Sequence, residues 1–159
     1  MASSELVSEK KEGNNWFVKS PIFKDFRIRM MIIAVGFLAA LLPWFSYNPS
    51  YYVIIYEITL LDLMRTSDQI LELFALCYFI GLILCSSRGF TMIYLGIILS
   101  LISIIVLAAK VSSAGFYYDL PVPLQGSSIG FGLVVGFIIT FMLIPFAYRQ
   151  SYEDRVVSE

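Results

Sequence analysis

The sequence predicts an all-α membrane protein: a four-helix transmembrane bundle with a small extracytoplasmic β-rich cap built from its two outer loops. Three observations predict this class. Apolar residues make up 58% of the chain and charged residues 14%, against roughly 45–50% and 25% in soluble domains. Apolar stretches recur at about 28–47, 67–86, 90–109 and 129–148, and some twenty helical residues at about 1.5 Å rise cover roughly 30 Å, the thickness of a bilayer's hydrocarbon core. In the last stretch Ser128, Gly132, Gly136 and Thr140 recur every four residues, so a helix gathers them into a narrow stripe that another element can approach closely. The organisation that follows is a flexible cytoplasmic N-terminus (1–19), a four-span membrane domain (20–148) and a cytoplasmic tail (149–159).

Taken in order, residues 1–19 are polar and mixed in charge, and Gly13, Asn14 and Asn15 interrupt any helix, so the first dozen or so are expected to stay disordered. The first apolar run begins too late for a signal peptide, so no cleavage is expected. Ser20 followed by Pro21 reads as an N-cap and first helical position. Phe23, Phe26 and Met30 then share a face, with Lys24, Arg27 and Arg29 elsewhere, as in an interfacial turn entering the first span. That span offers Gly36 and Ala40 as small contact positions and ends at Pro43 and Trp44, where tryptophan is expected at headgroup level.

Residues 46–67 form the first outer loop. Its segment 51–59 is rich in tyrosine and β-branched residues and predicts a strand. Thr66 with Gln69 predicts a capping box for the second span. Asp62 and Asp68 could approach a hard cation, but they supply too few oxygen ligands by themselves. Glu72 lies one turn inside the second apolar run, where a carboxylate is costly unless paired, protonated or wetted. It reads as an interfacial glutamate helped by the helix dipole, as half of a structural pair with Lys110, or as an ion site. Cys77, Gly81 and Cys85 make a further small stripe, the cysteines eight residues apart on one helix and so unable to bond each other.

The tight connection 86–89, holding Arg88, makes the second and third spans antiparallel neighbours. The third span carries Gly96, Ser100 and Ser103, read as packing positions whose hydroxyls bond carbonyls a turn earlier. In the second outer loop, 115–120 predicts a strand and Pro121 and Pro123 a stiff turn, a segment able to pair with the strand of the first loop. Pro145 falls near the end of the last span, and Tyr148 and Arg149 mark its interface. Gly132 and Gly136 are expected to face the bundle interior.

Eleven basic residues set the orientation. Lys10, Lys11, Lys19, Lys24, Arg27, Arg29, Arg88, Arg149 and Arg155 fall on the termini and the short connection, while only Arg65 and Lys110 fall on the longer loops. The positive-inside rule then predicts a multi-pass cell-membrane protein with both termini cytoplasmic.

Candidate chemistry is sparse. Histidine is absent, removing the commonest metal ligand and general base. Gly130, Phe131 and Gly132 lack the strand, third glycine and downstream acid of a phosphate-binding loop. No catalytic residue, metal site or cofactor is predicted. A net charge of −1 gives no basic surface for nucleic acid. The expected partners are the lipid bilayer and either other membrane proteins or further copies of the chain.

Leu42, Pro43 and Trp44 after the first span, Leu61, Asp62 and Leu63, the basic turn at Arg88 and the Gly130–Phe131–Gly132 opening of the last span together resemble small prokaryotic four-span membrane proteins of unknown function. A looser likeness is to claudin-type tetraspan proteins, which share four spans and an outer β-rich cap; their loop tryptophan motif and disulfide cysteines have no counterpart here. Neither resemblance implies a reaction. The function expected is that of a non-catalytic accessory or scaffolding subunit of a membrane assembly, the alternative being a small transporter or channel subunit using Glu72.

Overall fold

The structure, a computed structural model, describes residues 21–47, 56–65, 68–113 and 128–158. It is mostly helical, with a three-stranded sheet at one end. A 3-10 turn, Pro21–Lys24, leads into α1 (Phe26–Ala39); β1 (Pro43–Tyr47) and β2 (Tyr56–Thr59) follow, then the one-turn α2 (Leu60–Leu63), α3 (Gln69–Cys85), α4 (Phe90–Ser113), β3 (Ser128–Ile129) and α5 (Phe131–Ser158). The windows Phe90–Lys110 and Phe131–Glu153 are long and apolar enough to cross a membrane, and α3 is a shorter apolar helix.

Local chemistry accounts for most boundaries. A helical turn opens at Pro21, as expected, while Ser20 lies outside the described residues; α1 itself is capped by Asp25, whose Oδ1 accepts from the Arg27 N–H at 2.8 Å. Asp68 caps α3 in the same way, accepting from the Ile70 and Leu71 N–H groups; the expected partner in a capping box, Thr66, lies outside the described residues. The capping box that does form belongs to α2, where the Thr59 hydroxyl and the Asp62 carboxylate exchange backbone donors. Both aspartates weighed as cation ligands are therefore engaged at helix starts, Asp68 as the N-cap of α3 and Asp62 as the capping-box partner of Thr59.

The first apolar stretch differs from expectation. Its helix closes at Ala39, and residues 43–47 form a strand instead of the end of a span. Pro43 has no N–H to continue a helix, and at the first strand position it disturbs the ladder least. β1 lies centrally in the order β2-β1-β3, antiparallel to both neighbours, with an irregularity between Pro43 and Phe45. Phe45 opposite Ile58 is a buried cross-strand pair, the contact that stabilises a sheet face. The third strand is 128–129, just before α5; the segment 115–120, expected to fill that place, lies outside the described residues, as do 1–19 and 51–55.

Ser128 thus belongs to the sheet, its hydroxyl donating to the Ser46 carbonyl at 3.1 Å, and not to the helical stripe. Residues 149–158, read from the sequence as a tail, continue the last helix: α5 runs through Pro145 to Ser158. Arg149 and Glu153, one turn apart, pair at 3.0 Å along that extension, an arrangement that supports helix.

The apolar core joins all layers, from Ile33 and Ala40 on α1 through Trp44, Phe45 and Ile58 to Leu71, Tyr78 and Leu82, Ile93 and Leu107, and Leu133 and Leu143. α3 packs most extensively against α4, and α5 lies against both α4 and α1. A Cβ on Gly136 would lie 3.1 Å from the Tyr78 hydroxyl and 3.3 Å from Trp44 Cζ2. Gly136→Leu is therefore expected to lower stability by about 1–3 kcal/mol through overpacking. Gly136→Ala, where a helical gain of roughly 1 kcal/mol offsets a mild contact, should change it far less. Thermal unfolding of the two purified variants separates these outcomes.

Candidate functional site

Three groups of residues bear on function: the small positions, the polar pair at the sheet end, and an arginine-lined cleft at the opposite end.

The small positions lie at close approaches. A Cβ added to Gly36 would meet Leu82 at 3.0 Å and Ile139 at 3.3 Å. One on Gly81 would meet the Ser100 hydroxyl and the Gly96 carbonyl, and one on Gly96 would lie 2.8 Å from Cys85 Sγ and 2.9 Å from its amide nitrogen. Gly81, Gly96 and Ser100 are thus one antiparallel contact between α3 and α4. The Ser100 hydroxyl is buried there without a hydrogen-bond partner, whereas the Ser103 and Thr140 hydroxyls donate to the carbonyls of Leu99 and Gly136, each one turn earlier. Ala40, 1% exposed, caps the end of α1. Cys77 and Cys85 are free thiols.

The glycines of α5 meet something unforeseen. Gly132 lies against the Trp44 ring and the carbonyls of Leu42 and Pro43, and Gly130 against the Pro43 carbonyl. The stripe receives the chain reversal after α1 as well as side chains of other helices. Trp44, expected at headgroup level, is fully buried. Its indole Nε1 donates to the Ala39 carbonyl at 2.9 Å, its ring meets Tyr78 edge-on at 5.1 Å, and its carbonyl accepts from Gly130 at 2.7 Å. No sequence signal distinguishes this buried tryptophan from one exposed at the surface.

At the sheet end, Lys110 pairs with Asp68 Oδ2 at 3.5 Å, and not with Glu72, for which a pair with this lysine is one of three readings from the sequence. Asp68 is fixed as the cap of α3, and the end of α4 brings Lys110 to it. The Glu72 side chain is exposed in the first turn of α3, where the dipole of a helix start favours it. Among the described residues no group of three or more His, Cys, Asp or Glu is placed to hold a metal ion.

The opposite end gathers the start of α1, the α3–α4 turn and the end of α5 around a cleft of about 240 Å3. Arg29, Arg88 and Arg149 line it, with Asp25, Glu153 and Gln150, and with Phe23, Phe26 and Phe146 as apolar wall. Phe23 meets Phe146 edge-on at 5.2 Å, and the Arg29 guanidinium lies 5.0 Å from the Phe26 ring centroid. Arg29 is only 5% exposed and Arg149 7%. Arg29 Nη2 donates to the Ser87 carbonyl at 2.7 Å, which closes the α3–α4 turn, while its Nε is buried without a hydrogen-bond partner. Arg149 Nε donates to Glu153 at 3.0 Å, and the Asp25 carboxylate is engaged as the cap of α1. Composition marks this end as basic, but nothing in the sequence separates the buried Arg29 from the exposed Arg27 two residues before it.

Comparison with protein-family models, curated proteins and solved structures found no match to this chain.

Proposed function

We propose that this chain is a four-span integral membrane protein with both termini cytoplasmic, acting as a non-catalytic accessory or scaffolding subunit of a larger membrane assembly. The observation that carries the reading is uncovered apolar surface: 39% of the span window in α4 and 44% of that in α5 are buried. A core helix of a water-soluble protein would be mostly covered, and contiguous exposed apolar surface marks contact with lipid or another protein. Leu95, Ile102 and Ile105 on α4, Ile138, Phe141 and Met142 on α5, and Leu73 and Ile83 on α3 all face outward.

In this reading α1 and α3, of 14 and 17 residues, fall short of the roughly 20 that a span requires. The 3-10 turn before α1 and the sheet after it then occupy the headgroup layers, and local thinning takes up the rest. The arginine-lined end is the cytoplasmic one. Small residues are used up between the chain's own elements, so large aliphatic and aromatic side chains are what a partner subunit meets.

Membranes washed with alkaline carbonate should retain the chain. Extraction into mild detergent followed by native mass measurement should then find it in a complex larger than 18.0 kDa. A monodisperse monomer from native membranes overturns the scaffolding role, and release by carbonate overturns membrane insertion.

A further inference from the structure

We propose that the cleft between the start of α1, the α3–α4 turn and the end of α5 binds a phosphate ester, with Arg29 as its central ligand. Arg29 is a buried cation with no carboxylate partner among the described residues and an orphaned Nε. Removing one partner from a buried ion pair costs several kcal/mol because the remaining charge is uncompensated. A ligand anion in the cleft supplies that missing charge. Three arginines face two carboxylates around the cleft; Asp25 is held by a backbone donor and Glu153 by Arg149. The lining therefore favours an anion.

The residue type narrows its chemistry. Guanidinium forks match the planar pairs of oxygens that phosphate presents, and arginine is enriched where such recognition matters. Bonds from Arg29 to Ser87 and from Arg149 to Glu153 hold both groups in place before a ligand arrives, which lowers the ordering cost of binding. Arg88, exposed at the rim, adds a third positive charge. The volume, about 240 Å3, is below the roughly 300–1,000 Å3 of sites that enclose drug-sized ligands, so it suits a headgroup and not a whole nucleotide. Phe23, Phe26 and Phe146 beside the arginines suit a ligand with apolar substituents next to its phosphate. An anionic phospholipid of the cytoplasmic leaflet has that chemistry, and a free phosphate monoester shares its charged part. The lipid source rests on the membrane reading above, whereas the phosphate site does not.

The test uses the full chain in neutral detergent, with the thermal unfolding midpoint as readout. One arm adds short-chain phosphatidylglycerol, with phosphatidylcholine of the same chain length as control. The other adds glycerol 3-phosphate, with chloride at matched ionic strength. We expect saturable stabilisation by at least one of the two phosphate probes beyond its control. Arg29→Lys, which keeps the charge but loses the fork, and Arg88→Gln, an exposed change, should each weaken binding about tenfold. Preference for phosphatidylglycerol identifies a lipid site, and an equal or stronger response to glycerol 3-phosphate identifies a soluble ligand. If neither probe exceeds its control, or if Arg88→Gln and a folded Arg29→Lys both bind as tightly as the native chain, the proposal is overturned. Should Arg29→Lys not fold, unchanged binding by Arg88→Gln alone overturns it. Carbonate release combined with arginine-dependent phosphate binding would refute membrane insertion while keeping this site; membrane retention with no phosphate response would do the reverse.

Discussion

Trp44→Ala is expected to destabilise the protein by about 3–5 kcal/mol, the cost of emptying a large, well-packed aromatic site. Trp44 is fully buried between the glycine stripe of α5 and Tyr78 of α3, so its loss leaves a cavity where three elements meet. It also removes the indole donor from the Ala39 carbonyl, which then keeps only the Leu42 N–H at 3.2 Å. Trp44→Phe isolates that second effect: most of the ring contact remains, and the unmade hydrogen bond should cost only about 1–2 kcal/mol. Thermal unfolding of both variants measures the difference. Near-native stability for Trp44→Ala would mean that the tryptophan is not the joint between α1, α3 and α5.

Gly96→Ala should also be clearly destabilising, by a net of about 2 kcal/mol, because its Cβ would enter the backbone of α3. The nearest atoms are the Gly81 carbonyl oxygen and the Sγ and amide nitrogen of Cys85. Backbone groups cannot turn aside as a side-chain tip can, so α3 and α4 must separate. Helix propensity alone would favour alanine by roughly 1 kcal/mol. The overpacking, at the upper end of about 1–3 kcal/mol, outweighs it. Gly89→Ala is the matched control: nothing lies within 4 Å of its added Cβ, and its stability should stay within about 0.5 kcal/mol of native. Equal stabilities for the two variants would show that α3 and α4 do not approach at Gly96.

Much of the helical layout was legible along the chain. The apolar runs in 67–86 and 90–109 lead directly to α3 (Gln69–Cys85) and α4 (Phe90–Ser113), and the short 86–89 connection makes them antiparallel neighbours. A strand in the loop 46–67 was legible from its tyrosine and β-branched residues, and its described part is seen as β2. The end of α1 was misjudged because an apolar run looks alike whether it continues as helix or turns into a buried strand after proline. The end of α5 was misjudged because polar residues beyond an apolar run read as tail, although Arg149 and Glu153 at four-residue spacing were a helix signal in plain view. The cleft was half legible: its basic end showed in the charge count, but the burial of Arg29 did not.

By itself the sequence determined what local patterns encode: apolar helices, a basic end, and small residues repeating at helical spacing. Tertiary structure alone decided what fills the space those residues leave. A stripe of glycines states that something will approach closely, yet it contains no term for whether that neighbour is a helix, as at Gly81 and Gly96, or the chain reversal at Leu42, Pro43 and Trp44. Arg29 follows the same logic, since periodicity places it on a helix and only the α3–α4 turn and α5, folded against it, take it out of solvent. Pattern along a chain is a local property, and burial depends on what residues distant in sequence bring to the same place.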